Sequence, residues 1–405
     1  MEGCLMKKRR DTEVARVRLG DIAIVSSGQG APQGDSSYCL NAGIPFVRAG
    51  HLVDLVNGLS ESELPGIVEN VAIKHRLKVQ PRGTVLFAKS GMSCMKGLVY
   101  RLKTDCYVVS HLATVKTDND DTDHYLEYYF QRHKPNLLIK DPAYPSLSLS
   151  DISRIEISLP SLAEQKRIAA KLDTICGVIA KREGQLKKLD QLAKSRFVEM
   201  FGNPVANSHD LPLKKMGDIL TGIDSGKSFV CENTPRTGNH PAVLKLSAVS
   251  IDGYKPDENK SLPSADMFVE KAEVKPGDLL FTRKNTPELV GTCVYVKNTP
   301  PFLMMPDLVF RLNPTEEVSR QYLCALINHS LFRPKIQDLA SGSAKSMSNI
   351  SKERLSKLDV PVPPMELQNE YAAFIDQLDK SEFAIRKSLE AYRKLYRQQL
   401  QEVFG

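Results

Sequence analysis

Residues 222–228 (GIDSGKS) come closest in this chain to a loop that binds phosphate. They place three residues between the glycines, whereas the phosphate-binding P-loop requires four. That spacing decides how many backbone N–H groups surround the phosphates, so a missing residue disfavours nucleotide hydrolysis. The segment is instead predicted to be a Gly/Ser turn that exposes Lys227.

Two further segments contain parts of catalytic motifs and lack the rest of each motif. Residues 141–144 (DPAY) resemble the loop of amino-group methyltransferases, but no glycine-rich cofactor turn accompanies them. Residues 256–260 (PDENK) hold both halves of a P-D…E-x-K nuclease signature, but the halves are adjacent, and two metal-binding strands must separate them. The eight histidines and eight cysteines show no metal-ligand spacing and no nucleophile–base pair. The sequence therefore predicts neither a catalytic site nor a metal site.

Polar and basic residues lie in loops that recur at matching places in the two halves of the chain. Residues 26–30 (SSGQG) align with 225–228 (SGKS), and residues 89–97 align with 283–291. Side chains of these types bind phosphates and base edges in nucleic acids, although plain solvated turns have the same composition. The candidate DNA-binding residues are Lys89, Ser90, Lys96, Gln29, Arg283, Lys284, Asn285 and Lys227.

The loops recur because the chain is an internal duplication. From Ile155 to Gly202 the second copy follows 203 residues later without a gap. Earlier in the chain, the recurring phrases are LGDI (19–22) with MGDI (216–219), VQPRGTVLF (79–87) with VKPGDLLF (274–281), and SLS (146–148) with SMS (346–348).

Each copy ends in a long amphipathic helix. Apolar residues recur at three- and four-residue steps from Leu172 to Leu189 and from Tyr371 to Tyr396. A helix of about 40 residues is roughly 60 Å long, at ~1.5 Å per residue. Because a solitary helix of that length would expose its apolar stripe, we expect the two helices to pair as a coiled coil. The alternative is that each stripe packs on its own globular domain.

One charged residue interrupts the apolar seam of each helix, Arg182 in the first and Glu382 in the second. In an antiparallel pair, the residue numbers of two facing residues add up to a constant. Arg182 lies opposite Glu382 when this sum is 564, and Ala193 then faces Tyr371. A parallel pair would strand both charges against aliphatic side chains. The candidate helix-pairing residues are Ile175, Ile179, Arg182, Leu186, Leu378, Glu382, Ile385 and Leu389.

The segments before the helices are predicted to be mixed α and β. Short apolar runs after Pro/Gly turns predict strands at 85–87 and 279–281. The fold class is therefore α+β: two globular mixed α/β domains, separated by two long helices that form an antiparallel coiled coil, in a pseudo-two-fold internal duplication. The predicted boundaries are 1–160 and 204–363 for the globular domains, and 161–203 and 364–405 for the helices.

Composition sets the broad class of the protein. With 405 residues, 41% hydrophobic and 25% charged, the chain is expected to form two or three folded domains. No apolar run reaches the ~18 residues that a membrane span needs, and the N-terminal residues lack the order of a secretory signal. We therefore expect a cytoplasmic protein without membrane contact. The net charge of +7 only weakly favours a polyanionic partner.

Three phrases together resemble the DNA-specificity (S) subunit of type I restriction–modification systems. They are the Leu-Gly-Asp-Ile start of each copy, P-x-G-x-x-L-F before a basic polar loop, and I-x-I-x-L-P-x-L-x-E-Q-x-x-I before a helix ending in F-G-N-P. Residues 155–165 (IEISLPSLAEQ) fit the third phrase closely, and the second copy departs from it with Leu367 in place of the glutamate. The resemblance covers residues 17–405.

The resemblance implies two target-recognition domains, each reading one half of a bipartite site in double-stranded DNA. It implies that two conserved helices space the halves and dock two modification subunits, which bind S-adenosylmethionine and methylate adenine. Restriction subunits join to cleave DNA with ATP and Mg. The chain itself is then expected to be non-catalytic and to hold no cofactor. Two other functions stay open, a coiled-coil scaffold that does not bind DNA and a fused DNA methyltransferase or nuclease.

Overall fold

The structure, a computed structural model, describes residues 15–32, 42–341 and 347–405. It divides into two units. Unit 1 comprises Met1–Glu183 and Lys387–Gly405, and unit 2 comprises Gly184–Arg386. Each unit therefore takes one globular copy together with one half of each long helix.

Unit 1 contains nine strands and five short helices among its described residues. The strands are β1 (Ala15–Arg18), β2 (Ala23–Ser27), β3 (Ile44–Val47), β4 (Gly66–Ile67), β5 (Val85–Ala88), β6 (Val99–Arg101), β7 (Tyr107–Val108), β8 (Leu112–Thr117) and β9 (Glu156–Leu159). The helices are α1 (Leu19–Ile22), α2 (Leu52–Val56), α3 (Glu69–Lys74), α4 (Asp120–Arg132) and α5 (Leu149–Ser153). The main sheet is antiparallel in the order β2-β8-β5-β6, a second sheet has the order β4-β3-β7, and β1 pairs with β9.

The long helix α6 (Leu162–Phe201) continues into unit 2. The strands that follow are β10 (Leu213–Lys215), β11 (Leu220–Ser225), β12 (Ala242–Leu244), β13 (Val249–Ser250), β14 (Gly253–Tyr254), β15 (Asn259–Ser261), β16 (Leu279–Thr282), β17 (Lys284–Asn285), β18 (Cys293–Tyr295), β19 (Leu303–Met304), β20 (Val309–Pro314), β21 (Ser348–Asn349) and β22 (Asp359–Pro361). The helices are α7 (Arg320–Asn328), α8 (Arg333–Gln337), α9 (Lys352–Ser356) and α10 (Met365–Phe404).

Unit 2 repeats the three sheets of unit 1 in the same strand order. Its main sheet is β11-β20-β16-β18, its second sheet is β15-β12-β19, and β10 pairs with β22. Two small pairs, β13 with β14 and β17 with β21, are additional. The duplication that the sequence predicts is thus a duplication of topology.

The P-x-G phrase builds the interior strand of each main sheet. All four residues of β5 and of β16 are buried, which confirms the strands predicted at these places. Gly83 and Gly277 precede them with φ of +86° and +93°. Only glycine adopts this left-handed conformation at little cost, so the phrase is a turn that starts the strand.

The two long helices have 40 residues each, as the apolar periodicity predicts. A buried glutamine fastens the start of each helix to a proline in the link from the preceding strand. Gln165 donates from Nε2 to the Pro160 carbonyl at 2.8 Å, and Gln368 donates to the Pro363 carbonyl at 2.7 Å. The glutamine of the sequence phrase therefore has a structural role in both copies.

Within unit 2 the halves of α6 and α10 run antiparallel. Arg196 and Glu370 form an ion pair at 2.7 Å, and the Tyr371 hydroxyl lies 3.5 Å from the Ala193 carbonyl. The contact between Ala193 and Tyr371 that the sequence predicts is therefore formed.

Within unit 1 the helix halves are also antiparallel, but the predicted register is wrong there. Glu183 forms an ion pair with Arg393 at 2.7 Å. A sum of 564 would place Glu183 opposite residue 381, so the observed partner lies 12 residues further along α10. In the same unit Tyr396 also packs on the globular part, where its hydroxyl donates to Gln131 of α4.

All eight candidate helix-pairing residues are at least partly buried. Ile175 and Leu389 are buried, and Ile179, Arg182, Leu186, Leu378, Glu382 and Ile385 are half-buried. Glu382 accepts a hydrogen bond from Arg386 of its own helix at 2.6 Å. Because Arg182 and Glu382 belong to different units, their pairing stays a prediction.

The Phe-Gly phrase at the end of each helix packs on a globular part. The ring of Phe404 lies 5.3 Å from that of Tyr125 in unit 1, and the ring of Phe201 lies 4.8 Å from that of Tyr322 in unit 2. The two tyrosine hydroxyls donate to the carbonyls of Ser158 and Pro361. Each unit is therefore completed by the helix of the other copy. In the part of the chain that is described, no helix is both long and apolar enough to cross a bilayer.

Candidate nucleic-acid interface

One end of the main sheet in unit 1 brings the predicted loops together. β2 and β5 both run antiparallel to β8, which lies between them, so the loops after β2 and β5 leave from the same end of the sheet. The Gln29 backbone N–H donates to the Val108 carbonyl at 2.8 Å, and the Lys89 N–H donates to the His111 carbonyl at 2.9 Å. Both loops are thus anchored on the segment that precedes β8.

Unit 2 has the same arrangement. The Lys227 N–H donates to the Met305 carbonyl at 3.0 Å, and the Arg283 N–H donates to the Leu308 carbonyl at 2.9 Å. These bonds make Lys227 the counterpart of Gln29 and Arg283 the counterpart of Lys89. The sequence alignment of these loops is therefore confirmed.

Sterics explain why glycine stands at positions 28 and 226 in these loops. A Cβ at Gly28 would lie 2.1 Å from the Val108 carbonyl oxygen, and one at Gly226 would lie 2.3 Å from that of Met305. Any other residue would push the loop off the backbone beneath it. The Gly/Ser turn predicted at 222–228 is shorter than expected, because residues up to Ser225 belong to β11.

The candidate side chains differ in exposure. Lys96 and Lys227 are exposed, and the Lys227 ammonium lies 5.0 Å from the centre of the Phe229 ring. The half-buried candidates are Gln29, Lys89, Ser90, Arg283, Lys284 and Asn285. A basic, polar surface therefore lies at this sheet end in both units.

Gln29 contacts its own fold, contrary to the expectation of an amide available to a base. Its Nε2 donates to the Arg76 carbonyl at 2.9 Å, and its Oε1 accepts from the Lys78 backbone N–H. The side chain holds its loop to a segment almost fifty residues away. Distant contacts of this kind have no signal in the local sequence.

The Arg283 guanidinium has a fixed position. Its carbon lies 5.0 Å from the centre of the Phe310 ring, and Nη2 donates to Asn349 Oδ1 at 3.1 Å. The buried Nε has no hydrogen-bond partner among the described residues. That Arg283 contacts a DNA base stays a prediction. The contacts with Phe310 and Asn349 fix the orientation of its guanidinium within unit 2.

Two polar residues at this end were missed by the sequence analysis. His111 is exposed and is hydrogen-bonded through Nδ1 to Ser90 Oγ at 2.7 Å. Lys352 is exposed, lies 5.6 Å from the Phe310 ring centre and donates to the Ile223 carbonyl at 2.5 Å.

The serine phrases beside Lys352 align three residues away from the match predicted from the sequence. Ser148 and Ser351 cap equivalent helices α5 and α9, 203 residues apart. Ser146 therefore corresponds to Asn349, and the matched Ser346 lies outside the described residues. The described residues contain no cluster of His, Cys, Asp and Glu that could hold a metal ion.

A comparison with protein families identifies the class of protein. The profile of the type I restriction modification DNA specificity domain matches twice, over residues 12–191 and 217–391. The chain therefore belongs to the family of type I restriction–modification specificity (S) subunits, and the double match agrees with its two-unit fold.

Two curated relatives and one solved structure are similar to the chain. The EcoKI specificity subunit of Escherichia coli K12 is 23% identical over 363 residues, which is 84% of this chain and 76% of that subunit. The EcoEI specificity subunit of Escherichia coli is 28% identical over 208 residues, 49% of this chain and only 33% of that subunit. The crystal structure of the type I S subunit from M. genitalium covers 98% of both chains with a TM-score of 0.60 at 12% identity, a likeness of fold.

Proposed function

We propose that this chain is the DNA-recognition subunit of a type I restriction–modification complex. The loop-bearing sheet end of each unit would contact one half of a bipartite site in double-stranded DNA. The observation that supports this most is that both units carry equivalent anchored loops with polar and basic residues, Gln29 and Lys89 in one, Lys227 and Arg283 in the other. A scaffold that acts through its helices alone would not account for this repeated surface.

The exposed and the half-buried side chains suit different roles. Lys96 and Lys227 are exposed cations, suited to phosphates. Arg283 is held by a ring and an amide, and a fixed guanidinium is what a bidentate contact to guanine requires. We therefore assign Lys227 to the backbone of the duplex and Arg283 to a base edge.

The long helices would space the two half-sites and dock two modification subunits. S-adenosylmethionine, ATP and Mg would bind only to the modification and restriction subunits, and the present chain would be a non-catalytic cytoplasmic protein. Family membership supports this division of labour. A fused methyltransferase would bind S-adenosylmethionine as the isolated chain, and we expect equilibrium dialysis to detect no binding.

The decisive experiment has two stages. Long-read mapping of methylated adenines, in cells carrying the chain and its modification subunits, should give a bipartite target. Binding of that duplex is then measured by fluorescence anisotropy over a range of salt concentrations. Lys227→Ala should weaken all sequences alike and lower the salt slope by about one, whereas Arg283→Ala should cost about 1–3 kcal/mol and relax one base.

Lys214→Ala is the matched control in the same unit, because Lys214 lies on β10 and its exposed ion pair with Glu317 involves none of the loops. It should leave the binding affinity and the salt slope unchanged. If a double variant with Arg283→Ala and Lys89→Ala kept both affinity and methylation pattern, these loops would not be the readers.

A further inference from the structure

A large, exposed apolar side chain stands beside the candidate DNA-binding loops in each unit. In unit 1 it is Tyr144, which is 82% exposed, and in unit 2 it is Met347, which is 48% exposed. The two residues are 203 residues apart, so they occupy the same position in the duplication. Single exposed apolar residues are common on protein surfaces, but here both copies expose one at the same position.

Backbone hydrogen bonds join the segment of Tyr144 to the loop that carries Lys89. The Leu147 N–H donates to the Lys89 carbonyl at 2.7 Å, and the Gly91 N–H donates to the Pro145 carbonyl at 3.1 Å. Because Tyr144 directly precedes Pro145, its exposed ring is held next to the candidate DNA-binding residues of unit 1.

Unit 2 forms the equivalent backbone bond beside Met347. The Ile350 N–H donates to the Arg283 carbonyl at 2.8 Å, as Leu147 does to Lys89 in unit 1. The Arg283 side chain also donates to Asn349, which lies two residues after Met347. The exposed thioether is therefore held next to the guanidinium that we assign to a base edge.

Cationic side chains accompany the apolar one in both units. Lys89 belongs to the loop beside Tyr144, and Arg283 and Lys284 belong to the loop beside Met347. A ligand that matches such a surface combines negative charge with flat, uncharged faces. Duplex DNA has both properties, since its phosphates are charged and its bases stack on aromatic and apolar side chains.

We propose that Tyr144 and Met347 insert between stacked base pairs, one in each half-site, and kink the duplex there. Apolar side chains enter base steps in this way in proteins that bend DNA. Because insertion requires the loop-bearing sheet end to face DNA, the proposal rests on the proposed function. It adds that each unit favours base steps that unstack easily, in addition to the bases that its polar side chains contact.

The test is a nick scan of the mapped target duplex. Each duplex of a set carries one nick in the sugar–phosphate backbone, at a different base step. Binding to the full-length chain, in complex with its modification subunits, is measured by fluorescence anisotropy. A nick frees the neighbouring base pairs to unstack, so binding should tighten about threefold or more at the one step of each half-site where a side chain inserts.

The variants assign each step to its residue. Tyr144→Ala should abolish the tightening in one half-site and keep it in the other, and Met347→Ala should do the reverse. Tyr144→Phe keeps the ring and should keep the nick profile. The matched controls are Ile24→Ala and Leu213→Ala, which remove exposed apolar side chains on β2 and β10, outside the loops, and should change nothing. All five residue changes are at exposed positions and should leave the melting temperature unaltered.

Specific binding of the target without tightening at any nick, or with the same nick profile in both alanine variants, would overturn the insertion and leave the proposed function in place. A wild-type complex that does not prefer the mapped target over an unrelated duplex would overturn both. Loss of modification subunits from the alanine variants, with an unchanged nick profile, would assign the two side chains to a protein interface and also overturn the insertion.

Discussion

At the scale of single residues, the absence of a side chain is as important as its presence. Gly28 and Gly226 allow two loops to lie directly on the backbone that precedes the next strand, at distances that no Cβ tolerates. These contacts hold each loop at the sheet end that carries the candidate polar and basic residues. The glycines therefore position the loops that carry the candidate DNA-binding residues.

Gly28→Ala should destabilise unit 1 by about 1–3 kcal/mol, the usual cost of forcing atoms into a packed region. Urea unfolding of the full chain measures this loss. Gly30→Ala is the control two residues away, since a Cβ there meets nothing within 4 Å. Equal stability of the two variants would show that the loop can shift at no cost.

At the scale of elements, periodicity could be predicted and side-chain contacts could not. The apolar repeat predicts both 40-residue helices because burial of one stripe imposes it along the whole length. The contact of Gln29 with Arg76 and Lys78 joins segments far apart in the chain, and a cavity in unit 2 is lined by residues from three different helices, α6, α7 and α10. Such features require the fold first.

The serine alignment failed for a related reason. Short serine-rich phrases match at several offsets, and only the helix caps at Ser148 and Ser351 decide between them. In unit 1, where the helix register differs from the predicted one, Tyr396 of α10 also contacts α4 through Gln131. A sum rule based on one charged pair contains no information about that third element.

His329, just after α7, should make the stability of unit 2 depend on pH. Burial lowers the pKa of His329 below its ordinary value of 6.5, against a smaller opposing effect of the Lys194 backbone. Between the lower folded pKa and 6.5 the unfolded chain binds more protons, so the free energy of unfolding falls as the pH drops through this window. Above about 6.5 the contribution is fully present and constant.

Urea unfolding at pH 7.5 and 5.5 measures this effect. The wild-type chain should lose more stability between the two pH values than His329→Gln. The pKa of His51 in unit 1 is also lowered by burial, but this histidine is present in both proteins and its effect cancels. An identical pH dependence of the two proteins would contradict the assignment.

At the scale of the whole molecule, the division into units cuts both long helices at equivalent points. The boundaries fall after Glu183 and after Arg386, which are 203 residues apart. Among the described residues, the two long helices are the secondary structure that both units share. If each unit reads one half-site, we expect the length of these helices to set the distance between the half-sites.

Four residues inserted at both boundaries add about 6 Å of helix rise, close to two base pairs at ~3.4 Å each. The gap in the bipartite target should lengthen by about two base pairs, as mapped by methylated adenines. Replacing four residues at each boundary without changing the length is the control and should leave the gap unaltered. The same gap in the insertion variant would exclude the helices as a spacer.

The last part of α10 belongs to unit 1, as does the first globular copy. The two copies could therefore follow each other in either order along the chain. Arg16 of β1 and Gly405 line one cavity in unit 1, whereas in unit 2 the equivalent step from α6 to β10 is a continuous peptide through residues 202–212. A circular permutant that joins Gly405 to β1 through a linker of that length, and opens the chain at Val205, should therefore fold. Its circular dichroism spectrum and its DNA target should match those of the parent protein, although the second copy now precedes the first copy in the chain.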